Sequence, residues 1–232
     1  MYTLTCTHGD RLAQVFALIR PRSGDFLYSR GEGKGEGEEV DVMVEDIAQL
    51  RKAGVHGFVI GALTARGDVD VAVTRRLVAA CGQCEISFHR AFDMARDMRA
   101  ALETIGREFA GSITRVLTSG GKASALEGAH AIQQLQPRAR RLGITLVAGG
   151  GVSEDNVARI VAETGVTEVH GSARASVPSG MQHRNGNVHM GAAVHPVAEF
   201  STKQASSTRV ASIKQGFVLT SLGQASSAPP PS

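Results

Sequence analysis

At 232 residues, with 42% apolar and 20% charged side chains, the chain is long enough for one sizeable core and ordinary in composition for a globular protein. Its formal net charge is only +3, and the basic residues are scattered rather than interleaved with aromatics, which speaks against nucleic acid as a partner. No apolar run approaches the ~20 residues that span a bilayer, and the first residues lack signal-peptide order, so a soluble intracellular protein without membrane partners is expected.

Apolar, strand-like runs begin at Ala13 (AQVFALIR), Val55 (VHGFVIGA), Cys84 (CEISFH), Ile113 (ITRVLTS), Gly143 (GITLVAGG) and Val166 (VTEVHGS). Their spacings are 42, 29, 29, 30 and 23 residues, close to the roughly 30 residues of a βα unit. The runs are continuous rather than alternating, as in a parallel sheet buried on both faces. Helical periodicities lie between them: Val40, Val44, Ile47 and Leu50; Leu102, Ile105 and Phe109; Leu126, Ala129, Ile132 and Leu135; and Val157, Ile160 and Val161, with Ser153 as cap. Arg138, Arg140 and Arg141 fall where cations complement a helix C-terminus. The wide first spacing contains Gly31–Glu39, read as a solvated low-complexity loop. This alternation describes an α/β fold, barrel or open sheet; six strands are visible, whereas a closed (β/α)8 barrel needs eight. Residues 1–12 read as a divergent N-terminal segment, 13–200 as the α/β domain, 201–223 as a C-terminal helical segment and 224–232 as a disordered tail.

The strand ends are polar, and pockets of parallel α/β folds open at the carboxyl ends of strands. His89, Arg90 and Asp93 follow one strand: His89 suits a general acid or base, or a metal ligand, while Asp93 would orient it or pair with Arg90. Arg20 and Arg22 end the first strand and suit an anion, although Pro21 also fits a surface turn. Ser119 and the run Gly149, Gly150 and Gly151 ahead of a helix start would let the backbone approach a phosphate or carboxylate, or would simply turn tightly. Ser172 follows the last strand, beside His170, which shares the logic of His89. Cys81 and Cys84 form a CxxC, compatible with a metal or redox pair or with burial. Met181, His183, His189, Met190 and His195 offer copper(I)-type donors without enforced spacing.

The strings IRPRSGDFLYS (19–29), GFVIGALTARGDVD (57–70), SFHRAFDM (87–94), RVLTSGGKASALEG (115–128), AGGGVSEDNV (148–157) and EVHGSAR (168–174) closely resemble the CutC family of copper homeostasis proteins. The resemblance runs from about residue 13 to 200. It implies a TIM-barrel fold, a cytoplasmic location and a role in handling copper; the candidate copper ligands in this chain are Cys81 and Cys84 of the CxxC and the strand-end His170. Family members begin with two further βα units, so the resemblance implies a barrel lacking its first two. Unless the strand edges left by such a deficit pair with another chain, as in a homo-oligomer, or are covered, a poorly soluble or unstable monomer is expected. The residues themselves suggest another reading, a barrel enzyme acting on a small anionic metabolite with His89 and Asp93 as acid–base groups.

Overall fold

The strand-like runs pair side by side in the order in which they occur along the chain. In a computed structural model that describes residues 5–6, 14–28, 37–183, 185, 187 and 200–226, six parallel strands form the centre of the molecule. They are β2 (Phe16–Leu18), β3 (Gly57–Ile60), β4 (Glu85–Phe88), β5 (Ile113–Thr118), β6 (Thr145–Gly149) and β7 (Glu168–His170). Helices cross between them: α1 (Glu38–Lys52), α2 (Val71–Cys81), α3 (Met98–Glu108), α4 (Ala129–Arg141) and α5 (Val157–Thr164). The sheet is open rather than closed. It is the half-barrel of a TIM-like fold that lacks units, in agreement with the six visible strands.

Two pairings were not legible in advance. Strand β1 (Thr5–Cys6) runs antiparallel along the outer edge of β7, with Thr5 opposite His170 and Cys6 opposite Val169. Strands β8 (Arg174–Pro178) and β9 (Ser201–Ala205) form a separate exposed antiparallel ribbon. The segment 201–223 therefore opens as a strand, and only then becomes helix α6 (Ser207–Ser226). That helix enters the tail expected to be disordered; the rest of the tail lies outside the described residues.

Period-2 geometry divides the sheet residues between two faces. Phe58, Ile60, Ile86, Phe88, Val116, Leu146 and Ala148 face the helices and are essentially buried, packed with Met43, Ile47, Leu77, Leu102, Ile105, Ile132 and Ile160. At roughly 1.5–3 kcal/mol per fully buried large aliphatic side chain, this layer is the main source of stability. The opposite, concave face carries Val59, Glu85, Ser87, Arg115, Leu117, Val147, Gly149, Glu168 and His170, as the register pairs show. Strands β4 and β5 are therefore less uniformly apolar than their sequences suggest. Arg115 bridges two acidic neighbours on that face: its Nε meets Glu168 at 2.9 Å and its Nη1 meets Glu85 at 2.5 Å.

Local signals explain the helix ends. Asp70 caps α2 by accepting from the Val73 N–H at 3.0 Å, and Asp97 caps α3 through the amides of Arg99 and Ala100. Ser153 does not cap α5 with its side chain: the helix starts later, at Val157, and the Asn156 carboxamide instead accepts from the Ser153 amide. The expected solvated loop ends early, since Glu38 and Glu39 already belong to the first turn of α1, where carboxylates suit the helix dipole. Arg138, Arg140 and Arg141 do lie in the last turn of α4.

Candidate functional site

The carboxyl ends of β4 to β7 gather most of the expected polar residues. After β4 the chain enters a 3-10 turn, Arg90–Met94, whose tight i,i+3 spacing folds Asp93 back onto Arg90 with an Nε–Oδ2 distance of 2.7 Å. Asp93 is then occupied on both oxygens. Oδ1 accepts from the Thr118 hydroxyl and from the amides of Ser119 and Gly121, and Oδ2 from the Ser119 hydroxyl at 3.0 Å. A carboxylate so saturated holds the loop after β5 in place; it orients Arg90 and not His89. Arg90 itself donates through Nη2 to the Ser119 hydroxyl at 2.6 Å and to the Lys122 carbonyl.

Two sides of the Arg90 guanidinium are thus fixed, and its Nη1 faces Gly150. A Cβ at Gly150 would stand 3.2 Å from that nitrogen, and the φ of +109° there is one that glycine adopts freely. The glycine run turns the chain beside Arg90, with the Gly150 carbonyl accepting from the Ala125 amide. It does not lead directly into a helix N-terminus, because α5 begins only at Val157. Ser172 is exposed on the loop after β7, at the same end of the sheet.

His89 is 4% exposed, its ring laid across the bare Gly61 and 4.9 Å from the Phe26 ring. Its Nδ1 accepts from the Ala91 amide at 3.1 Å, so the neutral ring carries its proton on Nε2, which is buried without a partner. Burial first, then the charge of Arg20, pushes the imidazole down to about 3. At neutral pH His89 is a hydrogen-bond donor and a poor base, which narrows the acid–base role expected of it. His170 is also held below its ordinary value, by burial and then by Arg90, and its Nδ1 is buried and unpaired.

The remaining candidates stand apart. Strand β2 ends at Leu18, so Arg20 is not buried on a strand; it is exposed, donates to the Gly24 carbonyl at 2.9 Å and stacks 4.6 Å over Phe26. Arg22 is engaged by Asp25 at 2.9 Å and Glu39 at 2.7 Å, an internal ion-pair set that leaves it little for a ligand. Cys81 and Cys84 are free thiols at the amino end of β4, whereas His170 ends β7, so the sheet separates the three proposed copper ligands. Burial, then the neighbouring Cys84, pushes the Cys81 thiol up to about 12. Among the described residues, no group of three or more His, Cys, Asp or Glu side chains is placed to share a metal ion. Met181 and His183 are exposed; His189, Met190 and His195 lie outside the described residues. Sequence reasoning missed Phe26, Gly61 and Thr118, which hold His89 and Asp93; the parity of Gly61 with Val59 on one strand face was the available signal for one of them.

These strand ends can be set beside known proteins. The CutC family model matches residues 7–175. The chain belongs to the CutC family. A CutC family protein of Chromobacterium violaceum is 42% identical over 92% of this chain and 81% of its own length. The copper homeostasis protein cutC homologs of mouse and human are 45% and 43% identical, each over 84% of this chain and over 68% and 67% of their own lengths. A crystal structure of CutC from Streptococcus agalactiae superposes with a TM-score of 0.59 at 28% identity, covering 67% of this chain and 71% of that one. Among the described residues of this CutC chain, no helix is long and apolar enough to cross a membrane.

Proposed function

We propose that this CutC chain serves copper homeostasis, the role for which its mouse and human relatives are named, and that its described residues contribute by binding a small anion at the carboxyl ends of β4 to β7. The observation that carries the reading is Arg90. Its guanidinium is oriented by Asp93 and Ser119, is half-exposed, and keeps Nη1 directed at the bare Gly150. A pre-oriented guanidinium matches phosphate or carboxylate geometry, and the neutral His89 stands on the same strand-end turn as a donor rather than as a competing charge. What such a pocket supports is the binding of a small anionic metabolite at the strand ends. A cytoplasmic location belongs to the same reading, and the free thiols of Cys81 and Cys84 support it. Thermal melting with inorganic phosphate and with acetate tests the anion site: both raise the melting temperature of the wild type, and Arg90→Met abolishes the shift. An equal shift in the variant, or none in the wild type, overturns it.

A second reading, direct handling of copper(I), is favoured by the two free thiols of the CxxC, Cys81 at the end of α2 and Cys84 just ahead of β4. Soft thiolates select this ion, and a thiol raised by burial must release its proton to bind it, so affinity rises with pH. Anaerobic copper(I) titration against a competing chelator decides: stoichiometric binding that disappears in Cys81→Ala/Cys84→Ala supports it, and binding unchanged in that variant rejects this pair.

A further inference from the structure

Beneath the Arg90 loop, the concave face of the sheet closes around a cavity of about 30 Å³. Its walls are mainly apolar, built from Phe16, Val59, Leu117 and Val147. Three polar groups nevertheless reach it. His170 lines it with its Nδ1 buried and unpaired. Ser87, itself buried, lines it as well. Arg115, held through Nε and Nη1 by Glu168 and Glu85, closes its floor. Buried polar atoms are almost always paired, so an unpaired imidazole nitrogen on an otherwise apolar wall marks a place where a partner atom belongs. The space suits one or two water-sized groups and nothing larger.

The cavity is not remote from the strand-end site. His170 lies against Gly149, where a Cβ would stand 3.5 Å from its Cδ2, and the adjacent Gly150 lies against Arg90. Gly149 continues the cavity face above Val147, and Gly150, next in sequence, faces Arg90. Arg90 and His170 thus flank two consecutive glycines at the end of β6.

We propose that the cavity is the second compartment of the strand-end site and takes a hydroxyl on the carbon next to a carboxylate, so that the ligand is a short 2-hydroxy acid. The carboxylate meets Arg90, the hydroxyl pairs with Nδ1 of His170, and the apolar walls accept a methyl-sized body. This rests on the anion reading given above. A hydroxyl serves either tautomer of a neutral imidazole, since it donates and accepts.

Calorimetric titration of the full chain with lactate and with propionate, which differ by that hydroxyl alone, tests the proposal. Lactate binds about tenfold more tightly, the value of one well-made hydrogen bond to a buried group. His170→Leu removes the difference between the two acids, and Val147→Ile, which narrows the cavity by one methylene, reduces it. If propionate binds and lactate binds no tighter, the cavity assignment falls and the anion site stands. If neither acid binds, both readings fall. A lactate preference that survives in His170→Leu also overturns the assignment.

Discussion

Replacing Arg115 by Met tests how the concave face is held together. The guanidinium sits between Glu168, whose side chain is 10% exposed, and Glu85, at 37%. Methionine keeps the apolar stem and removes the charge, leaving a carboxylate on β7 buried without its cation. Breaking a buried pair by removing one partner costs about 3–5 kcal/mol, nearly all of it assigned here to Glu168, because water screens the more exposed Glu85. With a urea slope of about 2 kcal/mol per molar, the unfolding midpoint drops by about 2 M with an unchanged slope. The double variant Arg115→Met/Glu168→Gln removes the stranded charge and recovers more than half of the loss. The exposed pair Arg75–Glu108, at 63% and 43%, is the control, and Arg75→Met changes stability by less than about 1 kcal/mol. A loss below 1 kcal/mol for Arg115→Met, or a double variant weaker than the single one, refutes the reasoning.

Three other outcomes are expected. His89, depressed from near 6.5 to about 3, refuses a proton that the unfolded chain accepts, so its contribution to stability is full above pH 6.5 and is lost as pH falls toward 3. The slope is on the order of 1 kcal/mol per pH unit, and His89→Phe flattens it in denaturation curves taken at several pH values; parallel curves for wild type and variant would contradict this. Gly128→Ala places a Cβ 1.8 Å from the Ser119 carbonyl oxygen, which must move; a loss of about 3 kcal/mol together with the phosphate-induced melting shift is expected, and a fully stable variant rejects the geometry. Strand β2 has no neighbour on its outer edge among the described residues, so light scattering after size exclusion should show concentration-dependent self-association, whereas a cooperatively melting monomer across the range argues against it.

What the sequence revealed, and what it hid, follows from the range of the forces involved. The six parallel strands were legible because short, largely apolar runs recur at βα-unit spacing, although β4, β5 and β7 carry polar residues on the concave face, and the crossover helices because a 3.6-residue stripe faces the sheet. Helix α2 was not among the periodicities, since β-branched Val71, Val73 and Thr74 open it; Asp70 as cap, with Val73 and Leu77 buried, was the signal. Strands β1 and β9 are short or polar and exist only through a distant partner, so no local pattern could announce them. At the site, residue types and strand-end positions were readable, but roles were not. Asp93 looks like an acid–base group in sequence and becomes a clamp once donors from the β5 loop converge on it. Arg22 looks like an anion receptor until Glu39, from the next helix, neutralises it.

The antiparallel contact between β1 and β7 has a kinetic consequence. Parallel neighbours in the sheet are separated by one βα unit of chain, from 21 residues between β6 and β7 to 41 between β2 and β3, and such contacts can form in sequence. Joining Thr5 to His170 closes a loop of about 165 residues for only two residue pairs. Loop-closure entropy for that extra length is larger by about 1.5 kcal/mol than for a single unit. This contact is therefore the last to form and the first to open, and the amides of Thr5 and Cys6 should exchange with solvent ahead of those in β4 and β5. The seam that covers one side of the open sheet thus works as its natural point of entry.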